Sequence, residues 1–93
     1  MDKTIWKFPI KVVGIQTITM PKNSHVLSIQ SQNNNPCIWA LVDPNAEREQ
    51  RRFEIIGTGH PVPNREGLKR EFITTFQLDG GAFVGHAFEL MRS

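Results

Sequence analysis

The sequence predicts an all-β domain, a small antiparallel sandwich or barrel of about seven strands with at most one short helix. Apolar and polar residues alternate with a period of two along most of the chain. Asn, Pro and Gly turns divide this pattern into strands spaced about 8–12 residues apart. The chain has 93 residues, too few for two hydrophobic cores, so we expect a single domain over residues 1–93.

The first two predicted strands each end at a proline. Residues 4–8 alternate and are followed by Pro9, which cannot donate to a sheet ladder and therefore favours an edge strand or a strand end. Residues 16–20 are rich in β-branched side chains and stop at Pro21. We expect a turn to follow at once, since Pro21 precedes an Asn and a Ser.

The next two predicted strands cover residues 25–32 and 37–42, with a turn at Asn33–Asn35 between them. Alternation in the first strand divides six side chains between two faces, with His25, Leu27 and Ile29 on one and Val26, Ser28 and Gln30 on the other. The second strand is apolar throughout, which predicts a central strand covered on both faces. Trp39 would then be buried, and its replacement by alanine would cost about 3–5 kcal/mol.

The segment after this strand has two interpretations. Asp43 as an N-cap and Pro44 at the first helical position favour a short helix that ends near residue 50. Glu47 and Arg51, four residues apart, would support that helix weakly. A polar loop is an equal alternative, because the segment has no apolar face to bury. Strand character returns over residues 52–56.

The clearest hairpin joins residues 71–78 to residues 82–90. Its link is Asp79-Gly80-Gly81, and glycine tolerates the positive φ that hairpin turns need. Alternation predicts a shared face for each strand, made of Phe72, Thr74, Phe76 and Leu78 in the first and of Val84, His86, Phe88 and Leu90 in the second.

Composition and charge exclude several classes of protein. The net charge is +2, which is too small to indicate a nucleic-acid partner. Basic residues beside aromatic ones, as in Trp6-Lys7-Phe8, also occur in proteins that bind single-stranded nucleic acids, but the alternation of a strand accounts for them here. A single cysteine, Cys37, excludes a disulfide framework and a cysteine-rich zinc site. Neither a secretory signal nor a run of about 20 apolar residues is present, so we expect a cytoplasmic protein without a membrane partner.

The most distinctive segment is the loop Gly57, Thr58, Gly59 and His60. Two glycines allow successive backbone N–H groups to form a concave anion site, and Thr58 adds a hydroxyl. Arg51 and Arg52 lie a few residues upstream, and guanidinium groups suit phosphate recognition. We therefore predict ligand binding by Arg52 and by these four loop residues. The alternative is that the glycines only form a turn before Pro61.

Catalytic and metal-binding constellations are not evident. The spacing of His25, His60 and His86 matches no metal signature. Cys37 begins an apolar strand, where a thiol behaves as a small buried hydrophobe. Because no nucleophile, base and orienting group can be named together, we expect a protein that is not an enzyme and that needs no cofactor or metal.

Three blocks of sequence resemble a known family. They are Trp-Lys-Phe-Pro at residues 6–9, Ala-Leu-Val-Asp-Pro at 40–44 and Gly-Thr-Gly-His-Pro at 57–61. Together they are similar, nearly end to end, to a family of small, functionally uncharacterised phage and prophage proteins. The resemblance implies a phage origin, a host-cytoplasmic location and a β fold, but no activity.

By analogy with other small phage proteins, we expect a binding protein that captures a phosphorylated or cyclic-nucleotide signalling ligand without turnover and so counters host antiviral defence. Such a protein needs a phosphate-reading loop, an arginine and an aromatic surface, for which the candidates are residues 57–60, Arg52, and Trp39 or Trp6. The alternative is a protein-interaction or virion-associated accessory module.

We also expect a homo-oligomer. A small sheet has edges to hide, and four large apolar side chains exceed what one small core can take up. They are Trp6, Phe83, Phe88 and Met91.

Overall fold

The computed structural model describes residues 2–12 and 14–92, which form seven strands in two antiparallel sheets. The strands are β1 (Thr4–Pro9), β2 (Ile15–Pro21), β3 (His25–Gln32), β4 (Asn35–Val42), β5 (Arg48–Gly57), β6 (Leu68–Leu78) and β7 (Phe83–Arg92). A single 3₁₀ turn, Asp79–Gly81, joins the last two strands of this described part. The all-β prediction is therefore confirmed, and among the described residues no helix could span a lipid bilayer.

The two sheets pack face to face as a sandwich. One sheet has three strands in the order β1-β4-β3, and the other has four in the order β2-β5-β7-β6. The edge position predicted for the first strand is confirmed. At one side of the sandwich β3 lies against β6, where Gln30 Nε2 donates to Thr74 Oγ1 at 3.4 Å.

The core lies between the sheets and receives side chains from both. Its larger apolar side chains that are almost fully buried are Met20, Ile29, Ile38, Val42, Phe53 and Phe76. Gly85 of β7 allows aromatic rings to lie close to the backbone, since a Cβ there would be 2.8 Å from Phe76 Cζ and 2.9 Å from Phe83 Cε2. The packing of this core therefore depends on one small residue as well as on large ones.

β4 is the central strand of its sheet, as predicted, but it is not covered on both faces. Ile38, Ala40 and Val42 point into the core, whereas Trp39 lies on the opposite face and is half-buried. Lys7 Nζ lies 5.8 Å from the Trp39 ring centroid and donates to Gln32 at 2.7 Å. The predicted burial of Trp39 is wrong because, in the described chain, only one layer packs on this sheet. We therefore expect Trp39→Ala to lower the free energy of unfolding by less than the same substitution of a fully buried aromatic residue would.

Two β-bulges change the predicted faces. In β3 the register shifts between Val26 and Ser28. Val26 therefore pairs with Ala40 and Ile29 pairs with Ile38, and all four side chains belong to the core or pack against it. In β6 the register shifts between Phe72 and Thr74. The predicted grouping of Leu27 with Ile29, and of Phe72 with Thr74, is therefore wrong. An extra unpaired residue reverses the alternation beyond it.

The predicted short helix after β4 is absent, and the polar-loop alternative is correct for residues 43–47. The Ala46 N–H donates to the Asp43 carbonyl at 3.1 Å, and the Asn45 N–H donates to Asp43 Oδ1 at 3.0 Å, which makes a turn. β5 then begins at Arg48, opposite Pro21. Pairing with β2 satisfies the backbone of residues 48–50 and outweighs their helical preference.

The predicted β6–β7 hairpin is confirmed, and its turn is tied to the other sheet. Asp79, Gly80 and Gly81 have φ values of 52°, 63° and 99°. Asn34, in the β3–β4 turn, donates to Asp79 Oδ1 at 2.6 Å and accepts from the Asp79 N–H at 2.7 Å. Two hairpin turns, one from each sheet, are therefore joined at one end of the sandwich.

Candidate functional site

The face of the four-stranded sheet that points away from the core, called the outer face below, contains most of the candidate site. The pairing of β5, β7 and β6 arranges its side chains in three rows, which are Arg52-Leu90-Arg70, Glu54-Phe88-Phe72 and Ile56-His86-Thr75. Adjacent strands in a sheet are about 4.8 Å apart, so each row spans about 10 Å.

Glu54 is a buried carboxylate held by two arginines. Its residue is 1% exposed. Arg65 contacts Oε2 through Nε at 2.9 Å and Nη2 at 2.8 Å, and Arg70 contacts Oε1 through Nε and Nη2, each at 2.7 Å. Burial by itself raises the pKa of Glu54, but the hydrogen bonds and charges of the two arginines outweigh it, so this pKa lies below its ordinary value. Two cations against one anion leave an excess of positive charge here.

Glu54, Arg65 and Arg70 are called the arginine cluster below. This cluster fixes the segment over residues 58–67, called the strap below, to the outer face. Arg65 belongs to the strap and is bonded to Glu54 in β5. Arg70, in β6, also donates from Nη2 to the Pro63 carbonyl at 2.8 Å. The buried carboxylate therefore determines where the strap lies, although residues 61–65 have no regular secondary structure.

The predicted binding loop begins the strap as a β-turn. The His60 N–H donates to the Gly57 carbonyl at 3.0 Å, and Gly59 has a φ of 85°, as the third residue of a type II turn requires. The Thr58 N–H donates to the Val84 carbonyl at 3.1 Å. Two of the backbone donors expected to bind an anion are thus bonded to carbonyls. What the loop offers a ligand is chiefly the exposed side chain of His60, because the Thr58 hydroxyl lies within hydrogen-bond distance of His86 and of the Val84 carbonyl.

His86 connects the loop to the sheet. Its Nε2 lies 2.7 Å from Thr58 Oγ1, and its Nδ1 lies 2.9 Å from Thr75 Oγ1. A neutral imidazole can donate at one nitrogen and accept at the other, so two hydroxyls satisfy the ring completely. His86 is half-buried on the outer face, and its two bonds hold the loop over β7 and β6.

Three shallow depressions, each of about 210–230 Å³, surround His60. Gly57 and His60 line all three depressions. The first is also bordered by charged residues and prolines, namely Glu54, Arg65, Pro61 and Pro63. The second is bordered by Ile56, Val62, His86 and Phe88, and the third by Ala82, Phe83 and Val84. One side of His60 is therefore cationic and another side is apolar and aromatic. A ligand with a charged end and an apolar end could contact both.

Arg51 and Arg52 point to opposite faces of β5. Arg51 faces the interior, where its Nε and Nη2 contact Glu89 at 2.6 and 2.8 Å and its Nη1 donates to the Ser24 carbonyl at 2.6 Å. The hydrogen bond to Glu89 raises the pKa of Arg51 and outweighs the opposing effect of burial. Because Arg51 makes these contacts in the interior, we do not include it among the residues that could bind a phosphate.

Arg52 is exposed on the outer face, opposite Thr17 and Leu90. Five residues of extended strand separate it from Gly57, which is about 17 Å, whereas Glu54 is two residues away, about 7 Å. The structure therefore places Arg52 beside the arginine cluster around Glu54 and away from the loop.

Sequence reasoning missed Glu54, Arg65 and Arg70 as candidate site residues. The available signal was a single acidic residue within the apolar run over residues 53–56. A buried carboxylate needs cationic partners, so Glu54 implied them without identifying them. Those partners, Arg65 in the strap and Arg70 in β6, are brought close to Glu54 only by the tertiary fold.

The remaining candidates from the sequence lie elsewhere. Trp6 packs against the core and Trp39 lies on the far face of the three-stranded sheet, so neither is near the loop. His25 pairs in that same sheet, apart from His60 and His86. The described residues contain no group of three or more His, Cys, Asp or Glu side chains placed to hold a metal ion.

Comparison with known proteins identifies a family without an assigned activity. A family model described as "Domain of unknown function (DUF7352)" matches residues 1–93. Neither a curated protein nor a solved structure matches the chain.

Proposed function

The chain belongs to this family of domains of unknown function, and we propose that it is a binding protein that captures a small phosphorylated ligand without turnover. The observation that supports this proposal best is the outer face of the four-stranded sheet. Arg65 and Arg70 bind the carboxylate of Glu54 there, and the exposed Arg52 lies two residues away along β5 on the same face. An excess of guanidinium groups beside open depressions favours an anion.

The site is better suited to capture than to turnover, because Glu54 and His86 are each bonded to neighbouring side chains. Glu54 is tied to two arginines, and both ring nitrogens of His86 face threonine hydroxyls. A general base must be free to take a proton from a bound substrate. Fixed charges and fixed hydrogen bonds instead make a preorganised surface, which lowers the entropic cost of binding.

The ligand class and origin extend this proposal. We propose a phosphorylated or cyclic-nucleotide signal as the ligand, with contacts to residues 57–60 as well as to the arginines. The resemblance of three sequence blocks to phage and prophage proteins supports a phage origin. A phage protein that removes such a signal from the host cytoplasm would counter host antiviral defence.

Thermal denaturation against a panel of phosphorylated ligands tests the proposal. The panel contains cyclic dinucleotides, cyclic ADP-ribose isomers and AMP, each in excess over micromolar protein. A ligand at 100 times its Kd should stabilise the fold by about 2.7 kcal/mol. If no member shifts the melting temperature, the proposal is wrong and the protein-interaction alternative takes its place.

Arg52→Ala should weaken a ligand found in this way by about 1.5–3 kcal/mol without altering the melting temperature of the free protein. The reason is that a charged hydrogen bond is lost from an exposed residue that has no structural role. Isothermal titration calorimetry measures the loss. Lys69→Ala is the matched control, because Lys69 is exposed on β6, which β7 separates from β5, and pairs opposite Met91, outside the three rows. Equal weakening by both variants would indicate a general charge effect and contradict the site.

A second candidate function, a protein-interaction or virion-associated module, is favoured by the exposed face of the three-stranded sheet. Ile5 and Leu27 are 58% and 47% exposed there, beside the half-buried Trp39 and Leu41. Apolar side chains grouped on one flat face suit a protein partner better than a small anion.

A second copy of the chain is the partner we expect on that face. Light scattering at tens of micromolar should then give at least twice the monomer mass of 10.6 kDa. Leu27→Lys should return the monomer mass, because a buried unpaired charge would disrupt the interface. A monomeric native protein at that concentration would contradict the homo-oligomer.

A further inference from the structure

Phe72 is an exposed aromatic ring that packs against a second aromatic ring. Its residue is 57% exposed. The ring packs against Phe88 in an edge-on arrangement, with centroids 5.6 Å apart and planes at 66°. The Arg70 guanidinium carbon lies 5.9 Å from the Phe88 ring centroid and so supports it in turn. Phe72 thus presents an apolar surface to solvent.

A β-bulge directs Phe72 outward. Beyond the bulge Thr74, Phe76 and Leu78 follow the inward-facing alternation of β6, and the uninterrupted pattern would have placed Phe72 with them. The bulge at Ile73 instead turns Ile73 toward the core and leaves Phe72 on the outer face. Bulges often redirect a side chain beside a functional site. The bulge thus brings Phe72 onto the same face as Arg70 and Glu54.

Phe72 lies in the same row as the arginine cluster. Phe72, Phe88 and Glu54 are paired across three adjacent strands, which separates the first from the last by about 10 Å. Arg65 and Arg70 surround the Glu54 end. A ribose joins a planar base to a phosphate over a comparable span. The row therefore offers a stacking surface at one end and positive charge at the other.

We infer that the ligand is a nucleotide whose base stacks on Phe72 while its phosphate contacts the arginines beside Glu54. This inference rests on the proposed function and adds the residue on which the base stacks, and with it a preference for nucleotides over other phosphorylated ligands. Inorganic phosphate or a sugar phosphate would use only the arginine end. Base stacking on an aromatic side chain typically changes affinity about 5- to 150-fold per base, so nucleotides should bind more tightly than ribose 5-phosphate by a factor in that range.

Calorimetric titrations with AMP, cyclic di-AMP, ribose 5-phosphate and inorganic phosphate test the inference on the full chain. Phe72→Ala should weaken the nucleotides about 5- to 150-fold and leave ribose 5-phosphate unchanged. Phe72→Trp should restore nucleotide binding, because indole provides a larger stacking surface. Lys69→Ala is the control, since Lys69 is exposed on the same strand as Phe72 but lies outside the three rows.

The possible outcomes separate the inference from the proposed function. If Phe72→Ala leaves nucleotide affinity unchanged while Arg52→Ala reduces it, the stacking inference is wrong and the anion site stands. If ribose 5-phosphate binds as tightly as AMP, the inference is again wrong. If none of the four probes binds, the stacking inference is wrong, and the proposed function is decided by the wider thermal-denaturation panel. If Phe72→Ala changes only the oligomeric mass, the ring is a protein contact and the inference is overturned.

Discussion

Phe53→Ala should lower the free energy of unfolding by about 3–5 kcal/mol, the largest effect we expect of any single substitution. Phe53 is fully buried between the sheets. It also lies in β5, which pairs with β2 on one side and β7 on the other, so the cavity would open at the centre of the four-stranded sheet. Small domains are stable by only about 5–15 kcal/mol. Urea denaturation followed by circular dichroism measures the loss.

Phe72→Ala is the control for Phe53→Ala, because it removes the same side chain from an exposed position. Phe72 is 57% exposed and leaves no internal cavity, so we expect a loss below about 1 kcal/mol. Trp39→Ala should fall between the two, since Trp39 is half-buried. Equal destabilisation by the two phenylalanine variants would mean that the assignment of inner and outer faces in β5 and β6 is incorrect.

Glu54→Gln should lower the free energy of unfolding by about 2–4 kcal/mol at pH 7. The glutamine leaves Arg65 and Arg70 without their common anion, and removing one member of a buried ion pair leaves uncompensated charge. Both arginines are partly exposed and can turn toward water, which keeps the loss below that of a fully buried pair. The strap should also become more mobile, which hydrogen exchange of residues 58–67 would detect.

The contribution of Glu54 should depend on pH in one direction. Its pKa in the folded protein lies below the ordinary value of 4.5, so its ionised form is favoured by folding. The stabilisation is therefore complete above about pH 4.5 and decreases as the pH falls through the lowered pKa. The stability difference between the native protein and Glu54→Gln should shrink over that acidic interval.

Glu47→Gln is the control for this titration. Glu47 is exposed in the turn before β5, so its loss should change stability by less than about 0.5 kcal/mol at any pH. A difference between the native protein and Glu54→Gln that stays constant down to pH 2 would show that ionisation of Glu54 does not stabilise the fold. The arginine cluster would then need another explanation.

The candidate site was accessible from the sequence only in part. Residues 57–60 form the turn that their glycines indicated, and Arg52 is exposed beside the arginine cluster. Arg65, Arg70 and Phe72 gave no signal, because nothing in their local sequence distinguishes them from ordinary surface residues. They join the site through the position of the strap and the register of β6 with β7, both of which depend on contacts between distant segments.

What the sequence by itself determined is the class of the fold, the number of strands and the positions of most turns. These features depend on interactions between near neighbours, such as period-two alternation and the backbone preferences of Asn, Pro and Gly. The turn at Asn33–Asn35 and the Asp79–Gly81 link are examples, since their positive φ values are preferences of the residues themselves.

Only the tertiary structure decided which side chains face outward and which charges meet. The bulges at Leu27 and Ile73 reverse the faces that alternation predicts, and a bulge forms where partner strands pair, not where one strand's pattern demands it. Trp39 is half-buried because its sheet is packed on one side, which its own strand could not reveal. Glu54 likewise acquires its charge partners from 11 and 16 residues away along the chain. Local preferences select the strands, and long-range pairing makes the surface that a ligand would meet.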